Sequence, residues 1–416
     1  MSPRTLPPAD LIEESKRIKR ALLSVEAEAR QAAKSSRTAQ TKDLRDKLGY
    51  SAAETANTDQ LVDNRIASKV SVITPDVLAE ALPLTKKSAV TTDQSRQNIT
   101  KILAKKDDRL IVIVGPCSIH NPESALEYAQ KIVKWRQQYG DSLEIIMRSY
   151  MEKPRTEKGW KGLVYDPLLD ESDDINLGLV LTRLLSYRIT DLGVPIAMER
   201  LNALTPQYLN GLVAYDTIGA RNTTDQKSRE YASGTSSPVG FKNTPEGSVL
   251  VAVQAIIAAK APHAFLGMST GGVVSQINTT GNPTGHVILR GDKDGPNYSA
   301  DHIANLKALL SKHELAESIL VDASHGNSGK QAAKQPGVVA DVARQVASGE
   351  AAICGVIIES NLVAGSQNLK NTDGTPKSAS ELTYGQSITD DCVGLADTDA
   401  MLANLAQAAQ TRRQCD

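Results

Sequence analysis

Aromatic bulk is scarce in this 416-residue chain, which holds two Phe and two Trp, so its core must be built from Val, Ile, Leu and Ala. Cysteine is scarce as well. The four present, Cys117, Cys354, Cys392 and Cys415, are too few for a disulfide scaffold, and no Cys-x-x-Cys pair marks a structural zinc site. Net charge is almost absent: 47 Lys and Arg against 48 Asp and Glu leave a formal −1. That excludes a broad field for nucleic acid or an anionic membrane, so any anion must be bound by locally placed cations. No apolar run reaches the roughly 18 residues that span a bilayer, and no secretory h-region opens the chain. These absences point to a cytoplasmic protein whose partners include neither nucleic acid nor membrane.

What the chain does have is alternation. Strand-like runs at 110–117, 143–150, 194–199, 216–221, 238–243, 286–291, 318–323 and 354–359 are separated by helical stretches, including Glu123–Tyr139, Asp174–Leu192, Pro206–Val213 and Gly247–Lys260. Eight such units predict an α/β fold, the (β/α)8 TIM barrel. Residues 1–65 are polar and read as a helical or partly disordered extension, with a weak stripe of Leu11, Ile12, Ile18, Leu22 and Val25. The expected catalytic domain is 66–416, carrying an inserted β-hairpin at about 263–284 before the sixth strand. Insertions of this kind serve regulation or assembly, because the barrel closes without them.

The strand ends carry the chemistry. Cys117, Arg148, Glu199, Arg221, Lys242, Arg290, His325 and Glu359 each follow an apolar run, and in a parallel barrel such positions share one face. Cys117, His325 and Glu359, together with Asp390, make a mixed S/N/O donor set suited to a divalent transition ion such as Mn, Fe, Co or Zn. Arg148, Lys153, Arg155, Arg221, Lys242 and Arg290 form a dense cationic set. Lys242 and Arg290 end apolar strands, where an unpaired buried cation costs several kcal/mol, so an anionic partner is expected. A metal beside several anion clamps implies a small substrate with more than one anionic group and a carbonyl to be polarised.

Several segments, Gly115-Pro-Cys-Ser-Ile-His120, Glu152-Lys-Pro-Arg-Thr-Glu-Lys-Gly-Trp-Lys-Gly162, Gly219-Ala-Arg221, Pro238-Val-Gly-Phe-Lys-Asn243, Leu289-Arg-Gly291, Ser324-His-Gly-Asn327 and Tyr384-Gly-Gln-Ser-Ile-Thr-Asp390, closely resemble class I 3-deoxy-D-arabino-heptulosonate 7-phosphate (DAHP) synthases. The resemblance runs from about residue 60 to the C-terminal helix. It implies a metal-dependent, aldol-type condensation of phosphoenolpyruvate with erythrose 4-phosphate, the first step of the shikimate route, in a homodimer or homotetramer. By matched motif, Cys117, His325, Glu359 and Asp390 would hold the metal. Arg148, Lys153, Arg221, Lys242 and Arg290 would clamp phosphoenolpyruvate, and Arg155 and Thr156 would meet the aldose phosphate. Glu199 would lie beside the reacting centre, with Lys153 and His325 delivering protons. The chain departs from the family pattern at Ser149, Met151, Arg200, Asn202, Asn222, Thr224 and Asp292. The same resemblance places an aromatic amino acid effector at the hairpin, where Phe265-Leu-Gly267 is similar to tyrosine-sensitive members. Two other readings stand beside it: a paralogue using a different aldose phosphate, and a non-catalytic protein that binds these ligands to regulate another enzyme.

Overall fold

The computed structural model describes residues 10–47 and 61–414. Cys415 and the parts of the extension at 1–9 and 48–60 lie outside them. Helices α1 (Asp10–Lys47), α2 (Pro75–Ala81) and α3 (Lys86–Leu103) precede β1 (Leu110–Gly115), α4 (Pro122–Tyr139), β2 (Leu143–Arg148), α5 (Ile175–Asp191), β3 (Ile196–Glu199), α6 (Thr205–Tyr208) and β4 (Val213–Ile218). Next come α7 (Gln226–Ser233), β5 (Val239–Lys242), α8 (Val249–Lys260), the hairpin strands β6 (Ala264–Met268) and β7 (Val274–Asn278), and β8 (His286–Leu289). The chain then runs through α9 (Ala300–Lys312), β9 (Ile319–Asp322), α10 (Gln335–Ala347), β10 (Ile353–Glu359) and α11 (Leu395–Arg412).

Eight parallel strands close on themselves in the order β1-β10-β9-β8-β5-β4-β3-β2, the barrel that the alternation predicts. The antiparallel pair β6–β7 stands apart from it, inserted before β8, the sixth barrel strand. Ile111 and Ile113 point into the barrel with Ile146, Tyr215, Ile288 and Leu320. Val112 and Val114 face outward against the helices. Burial on both faces makes these strands continuous apolar runs.

Four elements differ from expectation. Helix α3 was not foreseen, because its buried face is largely hydroxyl-bearing: Ser88, Thr92 and Ser95 lie on it ahead of Ile99, Ile102 and Leu103, which join the barrel interior. Helix α7 is polar and buries only Ala232 and Ser233. Strand β4 covers Val213–Ile218 rather than 216–221, and the helix expected over Pro206–Val213 is reduced to α6. A turn at Asn210 and Gly211 separates the two, so Leu212 and Val213 belong to the sheet side and Arg221 sits on a loop beyond the strand.

Helix α1 packs on its own barrel, against α5. Leu11 and Leu22 are buried there, with Ile12 and Ile18 partly so, while Val25 is exposed. Lys19 pairs with Asp174 and Glu14 with Arg188 across this contact. The buried Glu26 accepts hydrogen bonds from Thr74 N at 2.8 Å and Thr74 Oγ1 at 2.7 Å, tying α1 to the start of α2. Among the described residues no helix is long and apolar enough to cross a membrane.

Candidate active site

Register places the first site residues. Gly115 of β1 lies opposite Glu359 of β10, and a Cβ on Gly115 would stand 2.8 Å from the carbonyl oxygen of Arg148. Only glycine admits that approach. Three strand ends therefore crowd together, and the loop after Gly115 carries Cys117 onto Glu359. Ligand atoms of Cys117, Glu359 and Asp390 all lie within 4.8 Å of one another.

Charges around this trio are arranged in opposition. Cys117 Sγ donates to Asp390 Oδ2 at 3.3 Å, and Lys153 Nζ donates to both, at 2.8 and 2.9 Å. Burial first, and then Glu359, push the Cys117 thiol up to about 11. Although burial opposes its charge, the half-exposed Asp390 is held well below the usual carboxylate range by Lys153. Burial also works against the Lys153 ammonium, but Cys117, Glu359 and Asp390 outweigh it and raise its pKa. Arg148 is buried beneath, with Nη2 2.8 Å from Glu359 Oε1 and Nη1 donating to the carbonyls of Pro116 and Cys117. The ion pair leaves both atoms under-directed: Arg148 Nε and Glu359 Oε1 are buried without a hydrogen bond.

His325 stands next to the trio, with Nε2 4.0 Å from Glu359 Oε1. It adopts a left-handed backbone, φ 57°, and its Nδ1 meets Asp322 Oδ2 at 2.9 Å and Ser324 Oγ at 2.7 Å. A proton engaged at Nδ1 leaves the Nε2 lone pair free for a ligand. Asp322 also meets Lys242 Nζ at 2.8 Å. Despite its burial, His325 and Lys242 hold this carboxyl well below the usual range. The anionic partner expected for Lys242 is thus supplied in part by the protein itself. Arg221 and Arg290 form no ion pair among the described residues; Arg221 donates to Thr156 Oγ1 at 2.7 Å and Arg290 to the Gly291 carbonyl at 3.3 Å.

These groups enclose a cavity of about 770 Å³, the size of a small-molecule site. Lys153, Arg155, Thr156, Glu199, Arg221, Lys242, Arg290, His325, Glu359 and Asp390 line it. Cys117 and Arg148 lie buried in contact with its lining residues, whereas Gly267 is on the hairpin. Sequence reasoning missed Asp322, whose signal was a carboxylate ending the β9 run, and Gln335. The Gln335 side-chain amide exchanges two 2.9 Å hydrogen bonds with the Glu359 backbone, fixing that strand end.

Residues 83–403 match the model of the DAHP synthetase I family. The chain belongs to the DAHP synthetase I family. Its sequence is 49% identical over 351 residues to a phospho-2-dehydro-3-deoxyheptonate aldolase, Phe-sensitive, of Escherichia coli (strain K12), covering 84% of this chain and 98% of that protein. A Tyr-sensitive aldolase of the same name and organism is 43% identical over 349 residues, covering 84% and 96%. The solved structure of a phospho-2-dehydro-3-deoxyheptonate aldolase from Francisella tularensis SCHU S4 superposes with a TM-score of 0.80 at 45% identity, covering 84% of this chain and 99% of that one.

One buried carboxyl in this DAHP synthetase I family member has no cation. Glu152, 3% exposed, precedes Lys153 and takes part in no ion pair among the described residues. Burial, which Thr205, Tyr165 and Asn202 offset only in part, pushes its carboxyl up to about 7. The folded value lies above the ordinary 4.5, so the stability contributed by the bound proton is complete below about pH 4.5 and is lost as pH rises through about 7. A shift of that size corresponds to about 3 kcal/mol. Glu152→Gln is expected to flatten this fall, which urea unfolding at several pH values between those limits measures. An unchanged pH slope would show that Glu152 is not the group responsible.

Proposed function

We propose that the chain condenses phosphoenolpyruvate with erythrose 4-phosphate and water to give DAHP and phosphate, the first step of the shikimate pathway, in the cytoplasm. The observation that carries this reading is the meeting of Cys117, Glu359 and Asp390 within 4.8 Å beside a cavity walled by Arg221, Lys242 and Arg290. The residues fit a divalent ion. A thiol, two carboxylates and a nearby imidazole are the right donors for Mn, Fe, Co or Zn, the buried Glu359 Oε1 lacks a hydrogen bond, and a cation, Lys153, already bridges Cys117 and Asp390. Cys117, His325, Glu359 and Asp390 would hold the ion, which when bound supplies Lewis-acid polarisation of the aldose carbonyl.

The chain's own side chains do the rest. Arg221, Arg290 and Lys242, with the acceptorless Nε of Arg148, bind the phosphate and carboxylate of phosphoenolpyruvate. Arg155 and Thr156 take the aldose phosphate, and the Arg221–Thr156 hydrogen bond joins the two anion sites. Lys153 and His325 are the proposed proton donors, and Glu199, beside Gly219 at the cavity wall, faces the reacting groups. The departure at Asp292 does not argue for another aldose: its Oδ1 accepts from the Asp294 and Gly295 N–H groups at 2.7 and 3.0 Å and caps its own turn.

An aromatic amino acid is the proposed effector, tyrosine favoured. A Cβ at Gly267 would meet Ile277 Cγ1 at 2.7 Å, so a larger residue there would require the Ile277 side chain to shift. The test is a phosphoenolpyruvate consumption assay with and without erythrose 4-phosphate. Chelation is expected to abolish turnover and added Mn to restore it, with tyrosine lowering the rate more than phenylalanine or tryptophan. Turnover that survives chelation would refute the metal-dependent reading, and rates indifferent to all three amino acids would refute the effector.

A further inference from the structure

The four residues proposed to hold the ion arrive from separate places: Cys117 from the loop after β1, His325 from the loop after β9, Glu359 from the end of β10 and Asp390 from the loop before α11. One short segment, 325–335, bears on three of them. It begins with His325 itself. At Ala332 its backbone N–H donates to Asp391 Oδ2 at 3.0 Å, which fastens the loop that carries Asp390. It ends at Gln335, the first residue of α10. Gln335 is fully buried, and its side chain is given over to the Glu359 backbone: Nε2 donates to Glu359 O and Oε1 accepts from Glu359 N, each at 2.9 Å.

That pair stands in for a strand that has ended. β9 stops at Asp322, opposite Ile357, and Ala323 N makes one more bond beyond it, to Ile357 O at 2.8 Å. Backbone groups two residues apart on a strand face the same neighbour, so the N–H and C=O of Glu359 look toward the side that β9 has left. A primary amide carries one acceptor and a donor group, as a peptide unit does, whereas a carboxylate only accepts and a thioether scarcely does either. Gln335 therefore prolongs the ladder by one residue, at the residue whose side chain is a proposed ligand. Fixing N and O of Glu359 fixes the direction of its Cβ, and little else directs the carboxylate: Oε1 faces Arg148 but has no hydrogen bond.

We infer that Gln335 is a positioning residue for the metal site: from the segment that also carries His325 it pairs with the Glu359 backbone, keeps imidazole and carboxylate in one register, and so sets the affinity for the ion. This rests on the proposed metal-binding role of Cys117, His325, Glu359 and Asp390.

The test titrates the metal-free full chain with Mn as wild type, Q335M, Q335E and V339A. Q335M keeps the length of the side chain and loses both bonds, so its Kd for Mn is expected to rise about 10- to 100-fold, the usual cost of removing a group that orients a ligand. Q335E keeps an acceptor for Glu359 N but no donor for Glu359 O; a rise of about tenfold is expected, and this variant decides the matter if Q335M does not fold. V339A trims a buried residue of the same helix away from that pair, so urea stability should fall while the Kd stays within about twofold of wild type. Cobalt supplies a spectroscopic signature: the thiolate band from Cys117 is expected to persist in Q335M while the ligand-field bands change with the placement of Glu359. A wild-type Kd in Q335M or Q335E, an equal rise in V339A, or identical cobalt spectra in Q335M and wild type would overturn the inference and leave the proposed function standing. Wild-type protein that takes up neither Mn nor cobalt would remove the metal site itself, and the inference with it.

Discussion

Cys117→Ala is expected to lower kcat about a thousandfold or more while the protein stays folded. The loss follows from the place of the sulfur. Sγ is within 4.8 Å of the Glu359 and Asp390 oxygens, and it is the one soft donor in that set, the type that separates sites for transition ions from oxygen-only sites for Mg or Ca. Lewis-acid stabilisation is worth several kcal/mol of transition-state energy, and about 4 kcal/mol is a thousandfold in rate. The effect on folding is smaller, because Lys153 and Asp390 keep their 2.9 Å ion pair without the thiol and the vacated volume is that of one sulfur. Metal content after dialysis and steady-state turnover on the same sample check the prediction together. A variant that keeps one equivalent of Mn and wild-type kcat would show that Cys117 holds nothing. Cys117→Ser should fall between, since its oxygen reaches less far and is a harder donor.

How much of this was legible in the sequence depends on what each residue answers to. The barrel was legible because strands buried on both faces must be apolar, and β1, Leu-Ile-Val-Ile-Val-Gly, is buried at every position. The convergence of Cys117, Glu359 and Arg148 was legible from topology alone, since carboxyl ends of parallel strands share one rim. Asp322 was not. Its task is set by Lys242 and His325, one on another strand and one on the following loop, and no local period marks a contact between elements. Helix α3 escaped for a different reason: Ser88 meets the Thr190 hydroxyl, and Ser95 donates to the Glu144 carboxylate, so a buried face held by hydroxyl hydrogen bonds reads as polar. Strand β4 was misplaced because Leu212 and Val213 suit a helix end as well as a strand start, and length alone separates the two in so short a run. Glu152 sat inside a quoted motif, yet its burial and its missing cation became visible only with Asn202 and Thr205 beside it.

Arg148→Met is expected to destabilise the metal-free protein by about 3–5 kcal/mol, the usual result of stranding one partner of a buried ion pair. Arg148 and Glu359 are each only 2% exposed, with Nη2 2.8 Å from Oε1. Glu359 Oε1 has no directed hydrogen bond, so the guanidinium charge, together with the cation of Lys153, is what compensates it. The same guanidinium holds the Pro116 and Cys117 carbonyls and lies 3.8 Å over the Tyr150 ring, so methionine would replace its bulk but none of its donors. Two comparisons separate charge from packing. In Arg148→Met/Glu359→Leu no carboxylate is left stranded, and the deficit should shrink well below that of the single variant. Saturating Mn should also narrow the gap between Arg148→Met and wild type, because an ion held by Glu359 brings positive charge to the atom that lost it and binds only the folded chain. Urea unfolding of the three proteins with and without Mn measures both effects. Equal deficits in the single and double variants would mean that Arg148 acts through its carbonyl contacts and bulk, and would remove the charge argument on which the proposed metal ligand Glu359 depends.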